Sequence, residues 1–306
     1  MNRKICLVIT VVFVFVFSGF FLFNDAFMKI SEEKFYSQEF DSSKKKILIY
    51  GSSHLLQLNS THIKDRVTTV SENYSVFNMA ENGDTPKKRS LNIERDLELE
   101  PEIVIYGVGF RDFSLEKEQN LQTELSVADL IPFDTTEVET LNPKLTTLQV
   151  LRSFTIDLTK ADDKTDVPYP NTSIFAEVIQ EKIASSDELH KDSESIREFI
   201  ITTQDNEQLD YFRTIIQTLQ ENNVKVAVMA TPYHNSVIEK IPEIEKRNFY
   251  KILSDIEDEL GVQVYDFSNE YEGLSIWRDT SHVALNQKSI VFSDDFAQMI
   301  IQEIEE

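Results

Sequence analysis

Residues 46–50 read KILIY and run into Gly51-Ser52-Ser53-His54. A short apolar run that ends in glycine suits a strand buried on both faces, the kind found in a parallel sheet covered by helices. Working outward, the same signal recurs at residues 75–80 (SVFNMA), 103–108 (IVIYGV), 225–230 (KVAVMA) and 262–267 (VQVYDF). Pro101, Pro232 and Gly261 punctuate these runs. Between them the apolar period lengthens to that of helices. Residues 86–99 space Leu91, Ile93 and Leu97, and residues 209–220 (LDYFRTIIQTLQ) are strongly amphipathic. Residues 242–260 align Ile244, Phe249, Ile252, Leu253 and Ile256; residues 287–304 align Ile290, Phe292, Phe296, Met299 and Ile300. Strands alternating with helices of this length predict an α/β fold: a doubly wound, flavodoxin-like three-layer sandwich with a five-stranded parallel sheet.

Two regions stand outside that rhythm. Residues 113–204 separate the third strand from the helix before the fourth, with helix-like stretches (TTLQVLRSF, IFAEVIQEKIA) and a Pro168-Tyr169-Pro170 kink. A connection of that length is usually functional, and it reads as a helical insertion at the rim of the site. At the other end, residues 5–23 (ICLVITVVFVFVFSGFFLF) carry no charge over a length close to the ~20 residues that cross a bilayer as a helix. Arg3 and Lys4 precede the run and Asn24-Asp25 follow it, so the positive-inside rule sets the N-terminus in the cytoplasm and the rest outside. A cleaved signal peptide is the alternative; the length of the run and the lack of a clean small-x-small site favour an anchor. The expected organisation is a cytoplasmic tail (1–4), a transmembrane helix (5–23), a stalk (24–44) and one domain (45–306).

Composition narrows the function. A formal charge of −23 excludes the dense basic surface that nucleic-acid binding needs. The runs Lys44-Lys45-Lys46 and Lys87-Lys88-Arg89 are short, flanked by acids, and read as solvated surface. The one cysteine, Cys6, rules out an intramolecular disulfide and a cysteine-based metal site; no metal and no cofactor is expected.

The glycines point to the site. There are only seven, against an average usage of about 7%, and four lie in or just after the first three strands: Gly51, Gly83, Gly107 and Gly109. In a doubly wound sheet the C-terminal strand ends share one edge, where ligands bind. Ser53 falls there at the start of a helical turn, with its own N–H aimed at any oxyanion in front of it. Gly83 offers a second N–H, and the segment Gly109-Phe110-Arg111-Asp112 a third donor. A serine hydroxyl needs a base. His54 adjoins Ser53, so the two side chains should diverge; His234, after the fourth strand, is placed to line a pocket together with Gly109 and Asp112. His282 lies after the fifth strand with Asp279 three residues before it, a spacing that lets the acid curl back onto the ring. Ser53, His282 and Asp279 are therefore the leading nucleophile, base and orienting acid.

These blocks resemble the SGNH/GDSL hydrolase superfamily. Within it the chain is similar to the membrane-anchored branch that includes the lipoteichoic-acid D-alanylation protein and polysaccharide O-acetylation proteins. Gly51-Ser52-Ser53 stands at the Gly-Asp-Ser block, Asn78 to Gly83 at the second, Gly109-Phe110-Arg111-Asp112 at Gly-x-Asn-Asp, and Asp279-Thr280-Ser281-His282 at Asp-x-x-His. The resemblance implies a Ser53–His282–Asp279 triad and an oxyanion hole from Ser53, Gly83 and residue 111, where Arg111 replaces the family's asparagine. It implies an esterase or O-acyltransferase acting on an acyl ester or acylated surface polymer, with a membrane acyl-donor protein as a possible partner. The arginine and the insertion leave a non-catalytic polymer-binding or assembly protein as the competing reading.

Overall fold

The computed structural model describes residues 35–36, 40–115, 182–194 and 199–305. The chain divides into two units, Met1–Lys44 and Lys45–Glu306, and the sheet and its helices belong to the second. The strands are β1 Lys45–Tyr50, β2 Tyr74–Asn78, β3 Pro101–Val108, β4 Lys225–Ala230 and β5 Gln263–Asp266. The helices are α1 Ser60–Val70, α2 Pro86–Ser90, α3 Ile93–Leu97, α4 Ser186–Glu194, α5 Glu207–Glu221, α6 Asn235–Ile238, α7 Glu243–Leu260 and α8 Ile290–Glu305. Short 3-10 turns occupy Ser53–Leu55, Phe110–Phe113 and Gln287–Ser289.

All strand pairs are parallel, in the order β2-β1-β3-β4-β5. The chain winds outward from β1 in both directions, so a crevice opens above the C-terminal ends of β1 and β3. Alternate strand residues face opposite layers. Ile47, Ile49, Ile103, Ile105, Ala227 and Met229 join Ile63 and Val67 of α1 and Phe292 and Phe296 of α8 in one apolar cluster. On the other face Tyr106 meets Phe212 of α5 edge-on at 4.9 Å, and Phe249 of α7 packs on Phe110 at 4.3 Å. The five expected strands all form, with ends shifted by a residue or two.

The stretch expected as one helix over 86–99 is instead α2 and α3, separated by Leu91 and Asn92, and Leu91 is 82% exposed. The cause is Arg89. It is buried rather than solvated, and its guanidinium is shared between Asp84 (2.6 Å) and Asp96 (3.7 Å). The path tightens at Leu91 and Asn92 while staying right-handed, and Asp84 before the junction and Asp96 beyond it share the one buried cation. Lys46 is buried as well, so both basic runs read as surface each hide one member in the fold. Ile244, expected on the apolar side of α7, is half-exposed in its first turn.

The insertion starts and returns at one place. Ser114 and Ile201 form an antiparallel bridge, Leu115 N–H donates to Ile200 O at 3.0 Å, and Asn206 Nδ2 donates to Phe113 O at 2.8 Å. The expected membrane-spanning run at 5–23 lies outside the described residues, and so do 116–181 of the insertion. Among the described residues no helix is long and apolar enough to cross a membrane.

Candidate active site

β1 ends at Tyr50, and after Gly51 and Ser52 the chain enters the 3-10 turn Ser53–Leu55. That turn is seated by close packing. A Cβ placed on Gly51 would lie 2.8 Å from Leu55 Cδ1 and 2.9 Å from Gly107 O; one on Gly107 would lie 2.4 Å from Leu55 Cδ1. Two of the scarce glycines therefore make room for Leu55, the last residue of that turn, which is fully buried. From the β2 side, Asn78 Nδ2 donates to Leu55 O at 2.8 Å.

The acid–base loop comes from the far end of the chain. Trp277 and Val283 form an antiparallel bridge, and Arg278 N–H donates to His282 O at 2.9 Å, closing a tight loop around Asp279 to His282. His282 Nε2 lies 2.7 Å from Ser53 Oγ, and its Nδ1 lies 2.7 Å from Asp279 Oδ1. An ionised carboxylate only accepts, so Nδ1 carries the proton and the Nε2 lone pair faces the serine hydroxyl. Asp279 Oδ1 also accepts the backbone N–H groups of Ser281 and His282, each at 2.9 Å. Its Oδ2 takes Nε and Nη2 of Arg278 at 2.8 and 2.7 Å. Burial alone would raise the Asp279 carboxyl; the His282 hydrogen bond and charge, the Ser281 N–H and the Arg278 charge outweigh it and hold the group well below the usual carboxylate range. It stays ionised.

The structure thus brings the three triad candidates together. The others are spread around them. Gly83 occupies a left-handed turn (φ +67°) in a loop that starts beside β1, where Glu81 N–H donates to Gly51 O at 3.0 Å. Asp84 and Arg89 anchor that loop from below, and Arg89 Nη2 also donates to Met79 O at 2.8 Å. Burial raises the Asp84 carboxyl to about 6 against the pull of Arg89. Gly109 and Asp112, expected as pocket groups, satisfy each other: Gly109 N–H donates to Asp112 Oδ2 at 2.7 Å. Arg111 is exposed, its guanidinium 5.9 Å from the Phe199 ring centre. His234 caps α6 by accepting Ser236 N–H at Nδ1 (3.2 Å), while its own N–H donates to Thr280 O at 3.0 Å. Burial lowers its pKa below the ordinary histidine value.

Two residues at the site went unassigned from sequence. His54 does diverge from Ser53, but it is buried with Nδ1 2.9 Å from Thr231 Oγ1 and its ring edge-on to His282 at 5.2 Å. Arg278, which pairs with Asp279 Oδ2, is the other. Their sequence signal was present but weak: both sit next to a triad residue on the active edge.

No family model matches the chain, and no curated protein does. Among solved structures it is similar to the psychrotrophic esterase EstA from Pseudoalteromonas sp. (11% identity, 86% of this chain and 100% of that one, TM-score 0.46). A protein described as lipolytic, of the G-D-S-L family, from Desulfitobacterium hafniense has 10% identity over 83% and 99%, with TM-score 0.43. A catalytic mutant of Axe2, an acetylxylan esterase from Geobacillus stearothermophilus, has 11% identity over 85% and 95%, with TM-score 0.45. Likeness at this level leaves the chemistry of this chain to its own residues.

Proposed function

We propose that the chain is a serine esterase or O-acyltransferase of the SGNH type, anchored in the membrane and acting outside it on acyl esters of a surface glycan or polymer. The observation that carries this reading is the continuous relay from Ser53 Oγ through His282 to Asp279, with both links at 2.7 Å. Ser53 Oγ attacks the acyl carbonyl carbon while His282 Nε2 takes its proton. The tetrahedral oxyanion is met by the N–H groups of Ser53 and Gly83. His282 then protonates the departing alkoxide, the alcohol leaves, and Ser53 keeps the acyl group. Water, or an acceptor hydroxyl in the transferase, gives its proton to His282 and attacks the acyl carbonyl; as the bond to Ser53 Oγ breaks, His282 passes that proton to Oγ, releasing the acid or the acylated acceptor and restoring the serine. Asp279 holds the imidazole and stabilises the imidazolium. Arg111 extends this edge with an exposed positive charge, suited to a substrate that carries an anion.

An assembled triad favours the enzyme over the non-catalytic reading. The test is a fluorophosphonate probe and a small acyl ester, applied to the full chain in detergent. Wild type should label on Ser53 and turn over, and Ser53→Ala should do neither. A wild type that stays unlabelled and inert, with a membrane acyl-donor partner present, while still binding surface polymer, would establish the binding protein instead.

A further inference from the structure

The loop bearing Asp279 and His282 is held by residues outside it as well as by its own hydrogen bonds. Thr280, between the two triad members, is engaged on every polar backbone and side-chain group. Its carbonyl accepts His234 N–H at 3.0 Å. Its own N–H and its Oγ1 both donate to one oxygen, Asp192 Oδ2, at 3.0 and 2.5 Å. Asp192 lies on α4, within the insertion and 88 residues away in sequence. The same segment touches the loop a second time, where Ala184 N–H donates to Trp277 O at 2.8 Å. The next residue on α4 is fixed in turn: Lys240 Nζ donates to Ser193 O and Oγ at 2.6 and 2.9 Å.

We infer that Asp192 is a positioning residue for the acid–base pair, so that the insertion, through α4, sets the geometry of the triad. The inference rests on the esterase reading and extends it. A loop of four residues has few ways to fix two side chains at once. Asp279 spends its acceptors on His282, Ser281 and Arg278, so it orients the imidazole but does not locate the loop. Location comes from the grip on Thr280, with His234, the cap of α6, on one side and α4 through Asp192 on the other. Release of the Asp192 side leaves His282 free to drift from Ser53, and a displacement of about 1 Å at a reacting group is enough to cost roughly 100-fold in rate.

The test uses the full chain in detergent, with kcat counted per site titrated by the fluorophosphonate probe so that misfolded protein drops out. Asp192→Ala should lower kcat and the rate of Ser53 phosphonylation by about 10- to 100-fold, with KM little changed. Asp192→Asn should recover most of that loss, because an amide oxygen can accept both Thr280 donors. Thr280→Val, which keeps the N–H and removes the hydroxyl, should fall between them. An unchanged kcat per titrated site in Asp192→Ala overturns the inference, and so does an Asn variant as impaired as the Ala one. The proton on His282 Nδ1 gives a second readout by NMR, independent of turnover: its downfield resonance should broaden or move in Asp192→Ala and persist in Asp192→Asn. If wild type neither labels nor turns over, the esterase reading fails, and that resonance alone decides whether α4 holds the loop.

Discussion

Substituting alanine for Gly107 tests how the nucleophile is seated. The added methyl carbon would fall 2.4 Å from Leu55 Cδ1, 3.2 Å from Leu55 Cγ and 3.3 Å from Thr231 Cγ2. Carbon atoms rest at about 3.5–4.0 Å, so Leu55 must retreat by roughly 1–1.5 Å. It has nowhere to go, being fully buried, with its carbonyl bonded to Asn78. Rotating one methyl away leaves Cγ too close, and Thr231 on the other side is tied to His54. Overpacking of this kind costs about 1–3 kcal/mol of stability. Ser53 and Leu55 share one short turn, so part of the displacement reaches Ser53 Oγ, and a shift near 1 Å lowers kcat about 100-fold. The assay is chemical denaturation alongside turnover of a short-chain aryl ester. Gly107→Ala combined with Leu55→Ala removes the clashing atoms and should regain much of the lost kcat. A Gly107→Ala protein with wild-type kcat, or a double variant no faster than the single one, would refute the seating argument.

Three further outcomes are expected. Arg111→Ala should raise KM for an anionic polymer substrate and spare a small neutral ester; a loss of about 10²–10³ in kcat on the neutral ester would instead make the guanidinium an oxyanion donor. Asp84 is raised from 3.8 to about 6 in the fold, so its contribution to stability is full below about 4 and is lost as pH climbs through 6. Denaturation of wild type against Asp84→Asn should show that extra pH dependence in wild type alone, and parallel curves between pH 4 and 7 would contradict it. If residues 5–23 anchor the chain, the mature protein should begin at Met1 or Asn2 and remain in the membrane fraction after a high-salt wash; a soluble product starting near residue 24–28 would mean cleavage instead.

The three inner strands were legible because β1, β3 and β4 are short apolar runs with Gly51, Gly109 and Pro232 just beyond them, the pattern of strands buried on both faces; the edge strands β2 and β5 are only partly buried and carry a weaker signal. The hydrogen-bonded grouping of Ser53, His282 and Asp279 was legible for a different reason. Once the strand order is doubly wound, every strand C-terminus shares one edge, and Ser53 and the Asp279–His282 pair have only that edge in common. What periodicity could not show was a buried charge. Arg89 looks like surface beside two lysines, and only the fold brings Asp84 and Asp96 to it. A helical period assumes that the polar face is wet, and a guanidinium paired on both sides breaks that assumption. The role of Asp192 was hidden by distance alone, since nothing local to α4 marks one of its acids as facing Thr280.

The site is built in two ways that should fail differently. Its nucleophile half is positioned by apolar contact, with Gly51 and Gly107 closing on Leu55. Close-packed carbon tolerates little change of volume, so substitutions there should lower stability and rate together. Its acid–base half is positioned by hydrogen bonds to a loop, from His234, Asp192 and Ala184. Each such bond contributes about 0.5–1.5 kcal/mol net, small beside the stability of the sheet, yet each constrains the orientation of His282. Substitutions there should lower rate with little loss of stability. Plotting kcat against unfolding free energy for both sets should give two separate trends. A single shared line would mean that the halves are held by one packed unit and that the insertion adds nothing to the placement of the triad.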